Sequence, residues 1–416
     1  MSRRRFADAR GLLADLLDRY EANPAAERLL AYLDVDGFIS VVDLDACLSE
    51  LAVIERAGGV IVRRRRAGGA DHVESVRLGD VGAVYRHLGR VPAGEKADQA
   101  LAQLEQRGSK SQALRAVIDQ VRAAWSRNVS ALGLGPGEAA RLIMAIDLAE
   151  ALIARLRADD LTQSDFRSFS RAVVGDSKRL ERLAPAVASL AQRLAPDAIV
   201  PEMQAPEEII GAFGITRLPQ PFLISGPLAL DGLELPTLPY LGLPPEQVPR
   251  VTFARPPTYL LIVENFTSFI RHAREVNPNL TGAVIFSGGF PSRPTLRGIV
   301  HIARLALTQA YHWGDIDLGG LRIFIHLERA LAEMDLTLKP HLMTEGLLRT
   351  HGLPARRRSW ARALAPDENS GIRSLWQAIA DANLDLDLEQ EGVAPQHPPS
   401  PEPAPSDVGD RIATLS

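Results

Sequence analysis

Three short apolar segments between residues 258 and 320 constrain the possible folds of this chain most strongly. They are Tyr259–Val263, Ala283–Phe286 and a third that approaches His312 and Trp313. Each is bounded by turn residues, which is the pattern of a buried strand. The stretches between them carry apolar residues at helical spacing. The pattern therefore predicts successive strand-helix-strand units that form a parallel sheet flanked by helices.

Acidic residues follow two of these predicted strands: Glu264 follows the first, and Asp315 and Asp317 follow the third. Because ligands bind outside the carboxyl ends of parallel strands, we expect these acids to share one crevice. Asp315 and Asp317 project to the same side of an extended backbone, and Gly319-Gly320 then permits a tight entry into the next helix. Three carboxylates without a thiol suit Mg²⁺ or Mn²⁺ better than zinc. The pattern favours a metal site over acids that merely belong to polar turns.

The second predicted strand is followed by Ser287, Gly288 and Gly289. At a strand end before a helix, such residues can leave backbone N–H groups facing a phosphate. We interpret His312, beside the acidic pair, as a structural residue or one that supports the metal ligands. These features indicate a cation that neutralises charge on a phosphodiester and helps to activate a nucleophile.

The composition of the 416-residue chain, with 46% hydrophobic and 24% charged residues, is that of a globular protein long enough for two or three domains. A net charge of -4 provides no general attraction for nucleic acid, so DNA binding would depend on local basic patches. The single cysteine, Cys47, excludes an internal disulfide and a cysteine-rich zinc site, and its helical neighbours predict a core position. Neither a membrane span nor a signal peptide is apparent, so we expect a cytoplasmic protein without membrane association.

The N-terminal residues predict helices followed by a hairpin that carries the basic run Arg63, Arg64, Arg65 and Arg66. This is the outline of a winged helix. The arginines either hold phosphates along a wing or protect a solvated strand edge by their charge, and the sequence favours neither interpretation.

Residues 95 to 195 are predicted to be mostly helical, with interruptions at Gly175 and Pro185 in the last helical segment. Gly175–Lys178 is interpreted as a turn that caps a helix start. The alternative is an anion site at the same backbone N–H groups, with Lys178 beside it. Gly133–Gly137 follows a predicted helix where a dinucleotide fingerprint needs a strand, so we predict an interhelical loop there.

The segments Leu261–Phe269, Phe286–Ser292 and Trp313–Gly320 in combination resemble the Toprim domain of the JetD family, the nuclease subunit of bacterial Wadjet plasmid-defence systems. Phe166–Ser170 and Gly175–Lys178 resemble the same family, so the similarity covers roughly residues 160 to 345. The Toprim part alone is shared with topoisomerases, primases and recombination nucleases.

This resemblance implies a homodimer similar in plan to the topoisomerase VI A subunit, with a winged-helix-type DNA-binding region ahead of the Toprim domain. It also implies cleavage of closed circular plasmid DNA alongside an SMC-like ATPase, its kleisin and an accessory subunit. By the family's motif, Glu264 is expected to be a metal ligand and the catalytic carboxylate. Asp315 and Asp317 are expected to be metal ligands.

The topoisomerase relatives cut DNA with a tyrosine, and this chain departs from that pattern. None of its six tyrosines lies in a matching motif: Tyr20, Tyr32, Tyr85, Tyr240, Tyr259 and Tyr311. This favours hydrolysis by a metal-activated water. Two alternatives stay open, a topoisomerase-like transesterase and a DNA-binding subunit with a degenerate, non-catalytic Toprim fold.

We therefore predict an α/β and mainly-α multidomain protein with four regions. These are a winged-helix-like arm over residues 1–90, a helical DNA-binding region resembling a CAP-like domain over 91–200, a Toprim nuclease domain over 201–388, and a disordered tail over 389–416. The tail is predicted from its Pro- and Glu-rich composition, which does not build a core.

Overall fold

The computed structural model of the chain describes residues 4–26, 28–67, 70–107, 111–160, 162–355, 365–382 and 384–399. They divide into two compact units, Met1–Ile146 and Asp147–Ser416. Both units contain helices and strands, so the predicted mixture of α/β and helical structure is confirmed. The boundaries of the four predicted regions stay a prediction. Among the described helices, none is both long and apolar enough to cross a membrane.

The first unit contains a four-stranded sheet in the order β1-β2-β4-β3. Leucines of α1 form its core with Val60 of β3, Val76 of β4 and Val84 of α3. Cys47 of α2 is buried in the same core, which confirms the prediction for this residue. The elements are β1 (Arg5–Phe6), α1 (Ala9–Ala22), β2 (Leu30–Leu33), α2 (Val41–Arg56), β3 (Val60–Ala67), β4 (Ala70–Leu78), α3 (Val81–Leu88), α4 (Ala93–Arg107) and α5 (Gln112–Trp125).

The helical segments predicted in the middle of the chain are present as α5, α6 (Ala139–Arg157), α7 (Phe166–Val174) and α8 (Arg179–Leu194). The glycine-rich segment at 133–137 lies between α5 and α6, as predicted. The predicted break at Gly175 is confirmed, because Gly175 ends α7 in a left-handed conformation with φ of 76°. The break at Pro185 is wrong: α8 continues through it. Leu183 and Val187 beside the proline are buried, and their packing offsets the hydrogen bond that proline removes.

The second unit is built on a six-stranded sheet in the order β10-β7-β13-β12-β14-β15. The strands β12, β13, β14 and β15 are parallel to one another, and β7 and β10 join one edge in antiparallel pairing. The elements are β5 (Ser164–Asp165), α9 (Pro206–Gly211), β6 (Ile215–Thr216), β7 (Phe222–Ser225), β8 (Leu228–Leu230), β9 (Leu233–Glu234), β10 (Leu241–Leu243), β11 (Val251–Phe253), β12 (Leu260–Val263), α10 (Phe266–Arg271), β13 (Ala283–Phe286), α11 (Arg293–Ala306), β14 (Ala310–Trp313), α12 (Leu318–Ala332), β15 (Leu338–Pro340), α13 (Glu345–His351), β16 (Leu353–Pro354), α14 (Arg373–Ala382) and β17 (Leu386–Asp387).

The three parallel strands predicted from their apolar runs are β12, β13 and β14. All four residues of β12 are fully buried, as expected for a strand in the middle of a parallel sheet. The strand order makes β12 the neighbour of both β13 and β14, although β14 comes 47 residues after β12 in the chain. The carboxyl ends of β12 and β14 therefore meet where the strand order reverses, which is the position at which open α/β sheets bind ligands.

The chain beyond residue 388 corrects one prediction. We expected a disordered tail from residue 389, but residues 384–399 are described and Gln390 and Val393 are buried. Leu388 forms an antiparallel bridge with Ile316, which directly links this segment to the sheet domain. The prediction of disorder rested on composition alone. The segment contains few apolar residues, but Leu388 and Val393 are buried. Residues 400–416, and the basic residues 356–358, lie outside the described part of the chain.

Candidate functional site

The three predicted acids gather at the carboxyl edge of the parallel sheet. Val263 of β12 pairs with Trp313 of β14, so Glu264 and the residues after Trp313 emerge from neighbouring strands. The backbone N–H of Glu264 donates to the carbonyl of Trp313 at 3.0 Å and extends this pairing by one residue. The Glu264 carboxylate in turn accepts a hydrogen bond from the Asp315 N–H at 3.2 Å. The predicted proximity of Glu264 and Asp315 is therefore present.

Asp317 also reaches this edge, where it caps helix α12. Its carboxylate accepts a hydrogen bond from the Gly320 N–H at 2.7 Å, an N-terminal cap of the usual kind. A Cβ atom on Gly320 would lie 2.1 Å from the carbonyl oxygen of Asp315. Glycine is thus required at this position because the backbone approaches too closely for any side chain. The sequence had predicted a tight helix entry at Gly319-Gly320, and the close approach explains it.

Two further carboxylates come from a segment that the sequence reasoning had assigned to the tail. We call residues Leu386–Val393 the C-terminal strap. The ligand oxygens of Asp315, Glu389 and Glu391 all lie within 4.8 Å of one another. The side-chain amide of Asn265 donates to Glu391 at 2.7 Å, which fixes this carboxylate beside the end of β12. The alternating run Leu384-Asp385-Leu386-Asp387-Leu388 was the sequence signal for a strand here, and we overlooked it.

The crowding of carboxylates changes their protonation. Burial, together with the nearby charges of Asp315 and Asp317, raises the pKa of the Glu264 carboxyl to about 8, although the hydrogen bond from the Asp315 N–H opposes this shift. Burial also raises the pKa of Asp315 to about 6, together with the charges of Glu389 and Asp317, although the hydrogen bond from the Gln390 N–H opposes this shift. Ionised carboxylates in such a group repel one another unless positive charge is present. An all-oxygen set of this kind fits a hard divalent cation.

His312 lies on β14 three residues before Asp315 and is fully buried. Burial lowers its pKa to about 3, so the imidazole is neutral at physiological pH. Its ring lies edge-on to Phe324 of α12, with 5.9 Å between the ring centres. A Cβ atom on Gly314 would lie 2.7 Å both from the His312 Nε2 and from a Glu264 carboxylate oxygen. The imidazole therefore packs behind the acidic residues, as its interpretation as a structural or supporting residue requires.

The glycine turn after β13 differs in part from its prediction. The backbone N–H of Ser287 donates to the carbonyl of Val263 at 2.9 Å, so the sheet already uses this donor. Gly288 and Gly289 adopt positive φ angles of 70° and 77°, and helix α11 starts four residues after Gly289, at Arg293. Ser287 and Gly288 line a cavity of about 390 Å³ together with Gln163, Arg217 and Gln220. A phosphate contact at this turn stays a prediction for the two glycines.

The four consecutive arginines lie along β3 and not in the turn of the hairpin. Arg63 pairs with Glu74 at 3.0 Å, and Arg64 donates to Glu55 at 3.0 Å. All four arginine side chains are exposed. Lys178, in the second unit, is exposed too, but its N–H donates to the Asp176 carboxylate at 2.9 Å. That hydrogen bond makes the predicted turn before α8, but the predicted cap is wrong: Lys178 stands at the N-cap without a side-chain capping bond, and the Leu180 N–H donates to the Ser170 hydroxyl at 3.0 Å.

Residues 228–397 match the family model described as "Wadjet protein JetD, C-terminal". Over these residues the chain is similar to the JetD C-terminal family. The matched residues include Glu264, Asp315 and Asp317, and they extend through the C-terminal strap with Glu389 and Glu391. The resemblance to JetD inferred from the sequence motifs is thereby confirmed.

A curated relative leads to the same family. The chain is 26% identical over 188 residues to the Wadjet protein JetD of Bacillus cereus (strain Q1). The similarity covers 42% of this chain and 43% of the relative, so the chain spans less than half of the length of the JetD protein that it matches.

Proposed function

We propose that this chain is the divalent-metal-dependent DNA endonuclease subunit of a Wadjet-type plasmid-defence complex. One observation carries the proposal: in the region that matches JetD, carboxylates converge at the carboxyl edge of a parallel sheet where the strand order reverses. Such an edge is a place where ligands bind. In the described part of the chain these carboxylates accept hydrogen bonds from backbone N–H groups and from the Asn265 amide, and such an oxygen-rich acidic site suits a cation that meets a phosphodiester.

The residues that would hold Mg²⁺ or Mn²⁺ are Glu264, Asp315 and Asp317, with Glu389 and Glu391 adjacent to Asp315. A divalent cation bound there would neutralise charge on the scissile phosphate and lower the pKa of a water nucleophile. Glu264 directly follows β12 and accepts a hydrogen bond from the Asp315 N–H, so its carboxylate lies between the two strand ends. We assign it the catalytic carboxylate, and we assign Asp315 and Asp317 the positioning of the cation.

Two of the three tyrosines of the second unit, Tyr259 and Tyr311, support water as the nucleophile; the third, Tyr240, packs edge-on against Phe269. Tyr259 precedes β12 at its amino end, and its hydroxyl lies 3.0 Å from the His272 Nε2. Tyr311 lies within β14 and donates its hydroxyl proton to the Pro399 carbonyl at 2.8 Å. Burial raises the pKa of both phenols. Neither side chain is arranged as a nucleophile, so we propose hydrolysis and not transesterification.

We further propose a Toprim fold for the sheet domain and a winged-helix-like role for the first unit, whose exposed arginines would contact phosphates. The active form would be a homodimer that works with an SMC-like ATPase, its kleisin and an accessory subunit. The resemblance of the sequence motifs to the JetD family implies these partners, and the similarity to a protein named as a Wadjet protein supports the proposal.

The test is incubation of supercoiled plasmid with the purified full chain and Mg²⁺ or Mn²⁺, alone and with the three partner proteins and ATP. Metal-dependent cleavage that leaves protein-free DNA ends supports the proposal. Protein covalently attached to the ends would favour the transesterase. DNA binding without cleavage under any metal would favour a non-catalytic subunit.

Replacing Arg65 and Arg66 by alanine is expected to weaken DNA binding about tenfold near 0.1 M salt. Each phosphate contact that is lost lowers the number of counterions released when the protein binds DNA. The slope of log affinity against log salt should fall by roughly 2. Fluorescence anisotropy with a short duplex measures both quantities. Arg127→Ala, which removes an exposed arginine of the same unit at the end of α5, serves as the control. Equal affinities for the double variant and the control would assign the arginines to protection of the strand edge.

The double substitution Glu389→Gln and Glu391→Gln is expected to weaken Mn²⁺ binding about tenfold or more, because it removes two of the three carboxylates grouped at Asp315. Titration of the full chain with Mn²⁺, followed by electron paramagnetic resonance of the free ion, measures the change. Glu246→Gln with Glu368→Gln makes the same change of charge at two exposed positions. If both double variants bind Mn²⁺ equally, the strap acids do not serve the cation.

A further inference from the structure

The C-terminal strap is fixed to the sheet domain at both of its ends. Ile316 and Leu388 exchange two backbone hydrogen bonds, at 2.9 and 3.1 Å. At the other end, Val393 is buried and its carbonyl accepts a hydrogen bond from the Arg271 side chain at 3.4 Å. Residues 389–391 are therefore held across the carboxyl edge of the sheet between two anchors.

Gln390 lies in the middle of the strap and is 1% exposed. Its side-chain oxygen accepts a hydrogen bond at 2.8 Å from the backbone N–H of Asn265, the residue that follows Glu264. Its side-chain N–H donates to the Trp313 carbonyl at 2.9 Å, at the end of β14. Its backbone N–H donates to the Asp315 carboxylate at 2.7 Å. One buried residue thus contacts both strand ends and one of the acids between them.

These hydrogen bonds have a geometric consequence. The pairing of β12 with β14 ends with the hydrogen bond from the Glu264 N–H to the Trp313 carbonyl, and each strand end then turns into its own helix. The Gln390 amide then joins Asn265, after the end of β12, to Trp313, at the end of β14, and adds to the direct hydrogen bond between the Asp315 N–H and Glu264. The N–H directed at Asp315 also selects one orientation of its carboxylate. Hydrogen bonds of this kind orient metal ligands and tune metal affinity.

We propose that Gln390 is a positioning residue of the acidic site, which makes the C-terminal strap a part of the catalytic machinery. This inference rests on the proposed metal-dependent function and deepens it. In this proposal the uncharged Gln390 side chain holds Glu264 and Asp315, which follow different strands, at the separation that a divalent cation requires.

The test compares Gln390→Met, which keeps the volume of the side chain but removes its two side-chain hydrogen bonds, with a matched control in the same domain. Asn277 is also 1% exposed, and its amide makes two hydrogen bonds at 2.9 Å to the backbone of Gly282 and two longer ones, at 3.5 Å, with Ser225 and Thr281. Gly282 directly precedes β13, so Asn277 acts at the amino end of the sheet, away from the acids. Asn277→Leu therefore removes a comparable buried amide without touching the proposed site.

For Gln390→Met we expect Mn²⁺ affinity about tenfold lower and plasmid cleavage reduced by roughly ten- to a hundredfold. Hydrogen exchange of the metal-free full chain should show faster exchange at the Asp315 N–H, which donates to Glu264 in the intact site. Asn277→Leu should lower the melting temperature to a similar degree and leave all three site readouts near the wild-type values.

Two results would overturn the positioning role. One is a Gln390→Met variant with wild-type exchange at Asp315 and wild-type Mn²⁺ affinity. The other is the same loss of Mn²⁺ affinity in Asn277→Leu, which would point to general loosening of the domain. The exchange measurement needs neither metal nor DNA. If the wild-type chain fails to cleave plasmid, the proposed function fails, while faster exchange at Asp315 in Gln390→Met alone still supports the positioning role.

Discussion

Glu264→Gln is expected to reduce plasmid cleavage at least about a thousandfold, the scale on which removal of a catalytic group acts. The substitution keeps the size of the side chain and its ability to accept the hydrogen bond from the Asp315 N–H. It removes the negative charge of the carboxylate that directly follows β12. Cleavage of supercoiled plasmid by the full complex with ATP and Mg²⁺ measures the effect, and DNA binding should be unchanged because no predicted DNA contact is altered.

Glu246→Gln is the control, because it makes the same chemical change at an exposed position in the 3-10 turn Pro245–Arg250. Its cleavage rate should match the wild type. A Glu264→Gln variant that cuts plasmid at the wild-type rate would contradict the assignment of Glu264 as the catalytic carboxylate. A variant that cuts slowly but leaves protein covalently attached to the DNA ends would instead indicate transesterification by a tyrosine.

The central sheet was predictable because its signals are local. Runs such as Leu260–Val263 are apolar along their whole length, which in a strand requires burial on both faces. Parallel pairing then follows from the helices between the runs. Once the strands are parallel, an acid after each strand end must lie at the same edge, so Glu264, Asp315 and Asp317 were identified as neighbours without any structure.

The strap was not predictable in the same way, because its packing depends on residues far away in the chain. Gln390 reaches Trp313 and Asn265, which precede it by 77 and 125 residues. A glutamine in a segment rich in Pro, Glu and Gln carries no local sign that it will be buried. Composition describes the average of such a segment, whereas burial here is decided by a few side chains that find partners on the sheet. The alternating Leu-Asp run was the one local clue.

The buried position of Glu264 predicts an unusual dependence of stability on pH in the metal-free protein. The folded state raises the pKa of this carboxyl from 4.5 to about 8, so the unfolded chain loses the proton first as pH rises. Between about pH 5 and pH 8 the folded state binds more protons than the unfolded state, and the free energy of unfolding therefore falls. The stability associated with protonated Glu264 is present below pH 4.5 and lost as pH passes 8.

In Glu264→Gln that loss should disappear, so the metal-free variant is expected to be more stable than the wild type at pH 8 by roughly 3 kcal/mol. The two proteins should differ little at pH 5. Urea unfolding in the presence of EDTA at pH 5, 6.5 and 8 measures the difference, and Glu246→Gln should follow the wild type.

Addition of Mn²⁺ at pH 8 should stabilise the wild type more than Glu264→Gln, because the positive charge of the cation compensates the negative charge of the ionised Glu264 carboxylate. If the free energies of unfolding of the two proteins change with pH in the same way, the folded state does not raise the pKa of Glu264. The assignment of a cation to this group of acids would then lose its electrostatic basis.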